Sequence, residues 1–378
     1  MDITQLPFDA DTMLARLKPW VECESPTFEA ARVNAMLDIV ARDCAVSGAT
    51  VERIAGRMGF GDCVRATFSF GHEPKPGILI MGHFDTVHPV GTLANGLPWR
   101  REGERCYGPG IFDMKGGNFL ALEAVRMLQR LGLSPALPAT FLFTSDEEVG
   151  SPSTRDLIEA EAARHKYVLV PEPGRADGGV VTGRYAIARF NLKSIGRPSH
   201  AGARLKEGRS AIRIMAEMIP QIEGMTTDAC TFSVGVIHGG QWVNCVSSAC
   251  DAEALSMAKR QADLDQGVER MLGLTKGDDQ SGLFIVTRGV TRPVWEPNEK
   301  TMAIYEKARA LAKQLGVDLK HESSGGGSDA NFTGALGIAS LDGLGVCGSG
   351  AHTLAEHIIV DSLPQRAKLF TGLLMELS

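Results

Sequence analysis

The sequence lacks the features that direct a protein to nucleic acid, to a membrane or out of the cell. Its 378 residues include 39 Lys and Arg against 45 Asp and Glu, and the formal charge of -6 leaves no basic surplus for a polyanion. No apolar run approaches the ~20 residues that span a bilayer. Residues 1–7 have neither the basic start nor the apolar stretch of a secretory signal. We therefore expect a cytoplasmic protein with no nucleic-acid or membrane partner.

The chain also lacks paired cysteines and is poor in aromatic residues. Its 8 cysteines are scattered and none belongs to a C-x-x-C pair, which excludes a zinc ribbon or a thioredoxin-like site. We expect most of them to be small buried side chains. Glycine, by contrast, is abundant at 43 residues and stands in short clusters between apolar runs, as loops at strand ends require.

Apolar periodicity predicts an α/β fold. Residues 78–81, 140–143 and 167–170 are short continuous apolar runs, the pattern of strands that are buried on both faces. Apolar residues at helical spacing cover residues 28–46 and 119–131. This alternation predicts a mostly parallel mixed sheet flanked by helices.

The pattern changes near residue 184 and returns near residue 293. Between these points, strands are predicted near residues 186–192, 232–237 and 283–286, and a helix is predicted at about 206–223. Alternating strands of this kind are typical of an antiparallel sheet that is open on one face.

Two domains are therefore expected. One consists of residues 1–183 and 293–378, with helices near 299–316 and 363–377, and the other is an α+β domain inserted at residues 184–292.

Histidine and carboxylate side chains follow the predicted strands, where ligands bind in an open α/β sheet. His83 and Asp85 come directly after the first strand, and a metal-bound histidine needs such a carboxylate to orient its second ring nitrogen. Asp113 lies in a glycine-rich loop before a helix. Taken singly, His83 could be an ordinary core or surface histidine and Asp113 a helix N-cap.

Further carboxylates follow the second and third strands. Asp146, Glu147 and Glu148 are consecutive and repel one another unless a cation or separate roles compensate, so a metal ligand beside a general base is one interpretation and a solvated acidic turn is another. Glu172 stands between two prolines after the third strand, and His352 lies in a late glycine-rich loop. The candidate ligands are thus nitrogen and oxygen donors, with no thiolate.

Taken together, these motifs resemble a known family. The chain is similar to the di-zinc metallopeptidases that include glutamate carboxypeptidases, aminoacylase-1, acetylornithine deacetylase and succinyl-diaminopimelate desuccinylase, and the glutamate carboxypeptidase branch is the most similar. The resemblance rests on motifs that occur in family order over nearly the whole chain: His83-Phe84-Asp85-Thr86-Val87, Gly108-Pro109-Gly110 through Asp113-Met114-Lys115-Gly116-Gly117, Asp146-Glu147-Glu148-Val149-Gly150, Glu172-Pro173, Ser199-His200-Ala201-Gly202 and Gly325-Gly326-Gly327-Ser328-Asp329-Ala330.

The resemblance implies a role for each site residue. One metal would be held by His83 and Glu172 and the other by Glu148 and His352, with Asp113 bridging both. Asp85 would orient His83, and Glu147 would be the general base. Two Zn²⁺ ions per chain are implied, and Co²⁺ or Mn²⁺ could replace them.

The resemblance also implies residues that contact the substrate. His200 in the inserted domain would help to bind the oxyanion, often from the partner subunit of a dimer. Asn244 and Arg288 match positions that contact the substrate's carbonyl or terminal carboxylate, and Gly326 and Gly327 would line the substrate site. An ordinary surface arginine is the alternative for Arg288. The inserted domain would then serve as a lid and as the surface of a homodimer.

One departure from the family bears on the substrate. Glutamate carboxypeptidases usually carry an Asp-x-Arg strand after the asparagine, where this chain has Ala254-Leu255-Ser256-Met257. We therefore expect hydrolysis of an N-acyl amino acid or short peptide beside a free carboxylate, with a Glu- or Asp-type substrate favoured.

Three alternatives stay open. A dipeptidase or small N-deacylase or desuccinylase of the same family is the nearest, and a non-catalytic binding protein on this scaffold is more remote. A nucleotide-binding protein that uses Gly325-Gly326-Gly327 as a phosphate cradle has little support, because no Gly-Lys-Ser/Thr follows these glycines.

Overall fold

The computed structural model describes residues 1–278 and 280–378, which form two compact units. Unit 1 contains Met1–Gly183, Trp295–Ser324 and Ser328–Ser378, and unit 2 contains Arg184–Val294 and Gly325–Gly327. In the described part of the chain, no helix combines the length and the apolar character needed to cross a bilayer.

The α-helices alternate with the strands in unit 1 and pack on a single sheet in unit 2. Their bounds are α1 Ala10–Glu22, α2 Ala30–Val46, α3 Thr92–Asn95, α4 Gly116–Arg130, α5 Arg155–Ala162, α6 Ala211–Glu223, α7 Gln261–Leu272, α8 Glu299–Gln314, α9 Ala330–Ala335 and α10 Ser362–Glu376. Three single turns of 3-10 helix lie at Ile3–Gln5, Glu147–Val149 and Leu205–Glu207, and a π-helical turn lies at Ile111–Lys115.

The strands are mostly short in unit 1 and longer in unit 2. Their bounds are β1 Thr50–Ile54, β2 Cys63–Phe68, β3 Ile78–His83, β4 Arg100–Glu102, β5 Arg105–Tyr107, β6 Ala139–Thr144, β7 Tyr167–Leu169, β8 Val180–Arg184, β9 Ala186–Ile195, β10 Cys230–Gly239, β11 Ala249–Ala258, β12 Lys276–Asp278, β13 Gly282–Arg292, β14 His321–Ser324, β15 Ala339–Leu341, β16 Gly348–Ser349 and β17 His357–Ile359.

The main sheet of unit 1 has six strands in the order β1-β2-β6-β3-β7-β15. The four strands β6, β3, β7 and β15 run parallel, while β2 and β1 add an antiparallel edge. Strands β3 and β6 are buried at every position, so both faces are covered, as their apolar sequences predict. Because parallel strands all point the same way, the loops that follow β3, β6 and β7 emerge at one edge of the sheet.

A second, small sheet of unit 1 carries two further loops. Its order is β16-β17-β5-β4, with all neighbours antiparallel. The chain leaves β5 into the Gly108–Gly110 loop and joins β16 to β17 through the loop that contains His352. The pairing of His357 with Tyr107 brings these two loops side by side.

Unit 2 is an antiparallel sheet covered by two helices. The order is β10-β11-β9-β13-β12, and its buried core combines one face of the sheet with side chains of α6 and α7. Strand β9 alternates between buried and more exposed residues, as the period of two predicts. The lid and dimerisation roles assigned to this segment remain predictions.

The elements predicted from periodicity occur in the structure, and their ends differ from the predicted ends by a few residues. The largest shift at the start of an element is in α6, which begins at Ala211 rather than near 206, and the largest at an end is in β13, which continues to Arg292 rather than 286. Residues Leu205–Glu207 form a separate 3-10 turn, Gly208 is extended, and the Ser210 hydroxyl then caps the new helix at the N–H of Arg213.

We expect Gly117→Ala to destabilise unit 1, because a Cβ atom there would lie 1.8 Å from the carbonyl oxygen of Pro171. Overpacking of this kind costs about 1–3 kcal/mol. Urea unfolding followed by circular dichroism measures the loss. The matched control is Gly235→Ala, where a Cβ atom would have no neighbour within 4 Å among the described residues. Equal unfolding midpoints for the two variants would contradict the close approach.

Candidate functional site

Four of the predicted site residues lie at the ends of three neighbouring parallel strands or in the loops just after them. His83 is the last residue of β3 and pairs with Thr144, the last residue of β6. Glu147 and Glu148 follow β6 in a single 3-10 turn, and Glu172 follows β7 after two residues. The side chains of His83 and Glu172 are buried, and those of Glu147 and Glu148 are partly buried.

The small sheet contributes the other two predicted ligands. Asp113 lies in the turn after the Gly108–Gly110 loop, where Gly110 has a φ of 70° and a Cβ atom would come within 2.7 Å of Thr86 Cγ2. His352 lies in the loop between β16 and β17 and has a φ of 63°. Neither residue belongs to the main sheet, so their meeting with His83 depends on tertiary packing.

The six side chains converge around Asp113. Asp113 Oδ1 lies 3.3 Å from His83 Nε2, and Asp113 Oδ2 lies 3.2 Å from His352 Nε2. His352 Nε2 is also 3.1 Å from Glu148 Oε2. His83 Nε2 lies 3.8 Å from Glu172 Oε1 and 3.9 Å from Glu147 Oε2. The two oxygens of one carboxylate therefore face two different histidines.

These separations fit a metal centre. Ligand atoms of His83, Glu147 and Glu172 lie within 4.8 Å of one another, and so do those of His83, Asp113 and Glu148. Two ligands bound tetrahedrally at 2.0–2.1 Å are about 3.3 Å apart, close to the shortest separations here. In addition, His83 Nε2 is buried and has no hydrogen-bond partner among the described residues. An orphaned imidazole nitrogen beside carboxylates is suited to a divalent cation.

The histidines take up positive charge when no metal is bound. Burial opposes this at His83, but contacts with Asp113 and Asp85 raise its pKa well above 6.5. Contacts with Asp113 and Glu148 raise the pKa of His352 to about 10. Burial and the charge of Asp113 also raise the pKa of Glu172 well above 4.5. Protons thus occupy part of the site that cations would fill.

The Asp85 carboxylate is fully buried and contacts the acidic turn. Its Oδ1 accepts the backbone N–H of Glu147 at 3.2 Å, and its Oδ2 accepts the backbone N–H of Glu148 at 3.2 Å and the Thr27 hydroxyl at 2.9 Å. The His83 Nδ1 atom hydrogen-bonds to the Asp85 carbonyl oxygen at 2.9 Å, while the carboxylate is 3.5 Å away. Asp85 therefore contacts His83 mainly through its backbone and the acidic turn through its side chain.

The remaining predicted site residues belong to unit 2. His200 and Asn244 are both exposed. They lie close together, because His200 forms an isolated β-bridge with Cys245 and the Ala201 N–H donates to the Asn244 carbonyl. Arg288 is exposed on β13, where its Nε donates to the Thr291 hydroxyl. Gly327 and the exposed Gly326 belong to Gly325–Gly327, a short later segment of the chain that is also part of this unit.

Sequence reasoning missed three residues that support the site. Thr27 donates to Asp85, and the buried pair His88 and Glu356 holds the loop that presents Asp113. The sequence contains only a weak indication that His88 and Glu356 belong to the site: each lies close to a predicted ligand, His88 five positions after His83 and Glu356 four after His352. Single polar residues beside a motif do not, however, reveal which loop they contact.

Comparison with known proteins gives matches over most of the chain. The profile of peptidase family M20/M25/M40 matches residues 79–376. Carboxypeptidase G2 of a Pseudomonas species is 33% identical over 308 residues, which cover 79% of this chain and 74% of that protein. Succinyl-diaminopimelate desuccinylase of a Nitratiruptor species is 24% identical over 281 residues, covering 70% of this chain and 75% of that one. A tripeptidase structure from Staphylococcus aureus superposes with a TM-score of 0.75 at 22% identity, covering 97% and 98% of the two chains.

We expect divalent metal binding at neutral pH to release protons. The raised pKa values of His83 and His352 mean that both imidazoles carry a proton without metal and must lose it to bind one. Affinity should therefore rise with pH towards about 10, the pKa of His352. Titration calorimetry of the metal-stripped protein in buffers with different ionisation enthalpies measures the protons released. The same apparent enthalpy in every buffer would contradict this description of the site.

Proposed function

Because the chain belongs to peptidase family M20/M25/M40, we propose that it is a di-zinc hydrolase that cleaves the amide bond of an N-acyl amino acid or short peptide beside a free carboxylate. The observation that carries the proposal is the convergence of His83, His352 and three carboxylates around Asp113. Co²⁺ or Mn²⁺ could substitute for Zn²⁺ at such nitrogen and oxygen ligands.

The ligand assignment is the one that the family resemblance implies, and the contacts of Asp113 support it. His83 and Glu172 would hold one ion, and His352 and Glu148 would hold the other. Asp113 would bridge the two, since its Oδ1 faces His83 and its Oδ2 faces His352. When bound by these residues, two ions would supply a water of lowered pKa and a Lewis acid for the scissile carbonyl.

Glu147 is proposed as the general base. Its Oε2 lies 3.9 Å from His83 Nε2, so it reaches the edge of the centre, and the Asp85 carboxylate accepts its backbone N–H. Glu147 Oε2 would take a proton from the attacking water and return it to the nitrogen of the leaving amine. Asp85, which also accepts the N–H of Glu148, would position base and ligand together.

Unit 2 is proposed to complete the site and to form a homodimer. His200 would donate to the developing oxyanion, from the partner subunit in such a dimer. Exposed Trp242 and Val243 lie in the same loop as Asn244, beside His200, and offer apolar area for subunit contact. Arg288 would form a bidentate pair with the substrate carboxylate.

Gly326 and Gly327 are proposed to line the substrate site. The Gly326 carbonyl accepts a hydrogen bond of 2.7 Å from Arg184 Nη1 within unit 2. At Gly327 a Cβ atom would lie 2.7 Å from the Ile187 side chain and 2.9 Å from that of Arg292. Backbone without side chains at these positions would let a substrate approach closely.

A carboxypeptidase-like activity on Glu- or Asp-type substrates is the form of the proposal that we favour. It is supported by the 33% identity to a carboxypeptidase over 74% of that protein's length. Removal of a small acyl group from an amino acid is the second candidate, because a desuccinylase also matches along most of its length.

We expect Glu147→Gln to retain both metal ions and to lose turnover, because the amide cannot accept the proton. Removal of a general base lowers kcat by about 10²–10⁴-fold. Metal content by elemental analysis and hydrolysis rates are measured on the same samples. The comparison variant is Glu148→Gln, which removes a proposed ligand and should lose about one ion per chain. Full turnover by Glu147→Gln would exclude Glu147 as the base.

We also expect N-acyl glutamates and aspartates to be hydrolysed with a higher kcat/KM than N-acyl leucine or alanine, because Arg288 would pair with a substrate carboxylate. A panel with benzoyl, succinyl and acetyl groups on each amino acid separates the amino-acid preference from the acyl preference. Preference for succinyl or acetyl groups regardless of the amino acid would favour the deacylase alternative. If the metal-loaded protein hydrolysed none of these substrates, the proposed reaction would be contradicted.

A further inference from the structure

Glu356 is a buried carboxylate that no predicted ligand set includes. It is only 1% exposed and lies four residues after His352. Its Oε1 accepts the backbone N–H of Phe112 at 2.8 Å and that of Asp113 at 3.0 Å. Its Oε2 accepts the N–H of Gly110 at 3.0 Å and hydrogen-bonds to His88 Nε2 at 2.6 Å.

Burying a carboxylate in this way costs free energy, which pairing or hydrogen bonds must offset. Among the described residues, no Lys or Arg nitrogen lies within ion-pair distance of Glu356, and the buried Lys115 acts on it only at longer range, so its hydrogen bonds are the main compensation for its burial. Three of its four partners are backbone N–H groups of one short segment, Gly110–Asp113. A carboxylate that gathers successive N–H groups dictates the path of the backbone that carries them.

The segment that Glu356 holds is the one that presents Asp113. Glu356 Oε1 binds the backbone of Asp113 itself, and the Asp113 carboxylate faces both His83 and His352. Glu356 and His352 share the loop between β16 and β17. One side chain therefore fastens the His352 loop to the Asp113 segment.

We propose that Glu356, held by His88, is a positioning residue for the metal centre: it sets the distance between Asp113 and His352 before any metal binds. The proposal rests on the proposed function, since it takes these two residues as ligands. In Glu356→Gln one acceptor oxygen becomes an amide NH₂. If Oε1 is replaced, the backbone N–H groups of Phe112 and Asp113 face that NH₂. If Oε2 is replaced, the N–H of Gly110 and the His88 ring face it. We expect the Gly110–Asp113 segment to move in response, and the distance between Asp113 and His352 to increase.

Metal affinity distinguishes a positioning residue from a residue that merely stabilises the fold. Loss of an interaction that orients a ligand lowers metal affinity by about 10–100-fold. A general loss of stability lowers the unfolding midpoint but leaves the affinity of the folded fraction unchanged. The two cases therefore differ in the affinity measured where each variant is fully folded. Recovery of activity with excess metal does not separate them, because a metal that binds only the folded state also restores the folded fraction.

The test variant is Glu356→Gln, and the matched control is Glu161→Gln. Glu161, in α5, is another buried carboxylate of unit 1 and is 2% exposed. Unlike Glu356, it forms ion pairs with Arg65 and Arg164. The affinity of the metal-stripped proteins for Zn²⁺ and Co²⁺ is measured by competition with a chromogenic chelator, together with the urea midpoint. His88→Gln, a milder change that keeps a donor for Oε2, is measured in parallel.

We expect Glu356→Gln to bind at least one ion about 10–100-fold more weakly, with activity restored by added metal, while Glu161→Gln binds as the unaltered chain does. His88→Gln should change affinity in the same direction by a smaller factor, and it decides the question if Glu356→Gln does not fold. Unchanged affinity in both the Glu356 and His88 variants would overturn the proposal. Failure of the unaltered chain to bind metal would instead overturn the proposed function.

Discussion

One constraint governs the site: several carboxylates are gathered in one place and repel one another. Asp113, Glu147, Glu148 and Glu172 surround His83 and His352, and four like charges at such short range cannot all be ionised without compensating cations. In the metal-free chain protons compensate in part, which is why the pKa values of both histidines are raised. The same crowding favours the binding of a divalent cation, whose charge would offset the repulsion among the carboxylates.

The charged residues of the site come from two sheets of unit 1. The main sheet brings His83, the acidic turn and Glu172 to one edge, because β3, β6 and β7 are parallel neighbours. The small sheet brings His352 and Asp113 through the pairing of β17 with β5. Asp85 and Glu356 act alike: each is a buried carboxylate that accepts backbone N–H groups of a segment carrying candidate ligands. Backbone donors thus stabilise negative charge next to a centre that is itself negative.

Much of this could be predicted from the sequence, and the failures have physical causes. The predicted α/β fold and the predicted family are confirmed, because buried parallel strands and a set of spaced motifs leave clear local signals. Strand β11 was not predicted as such. Its buried positions are Cys250, Ala252, Ala254, Ser256 and Ala258, small residues that do not produce a strong apolar alternation. The roles of individual site residues and of the inserted unit stay predictions.

The sequence by itself determined the chemistry of the candidate ligands: two histidines and several carboxylates, each following a strand or lying in a glycine-rich loop. Why positions 110 and 117 must be glycine is decided by the tertiary structure, because a Cβ atom there would meet Thr86 or Pro171. Only the tertiary structure decided which oxygen of Asp113 faces which histidine, and that Glu356 rather than a cation holds the Asp113 segment. The physical reason is that periodicity and motifs report each segment's own conformation. Contacts between His88 and Glu356, 268 positions apart, exist only once both sheets have packed.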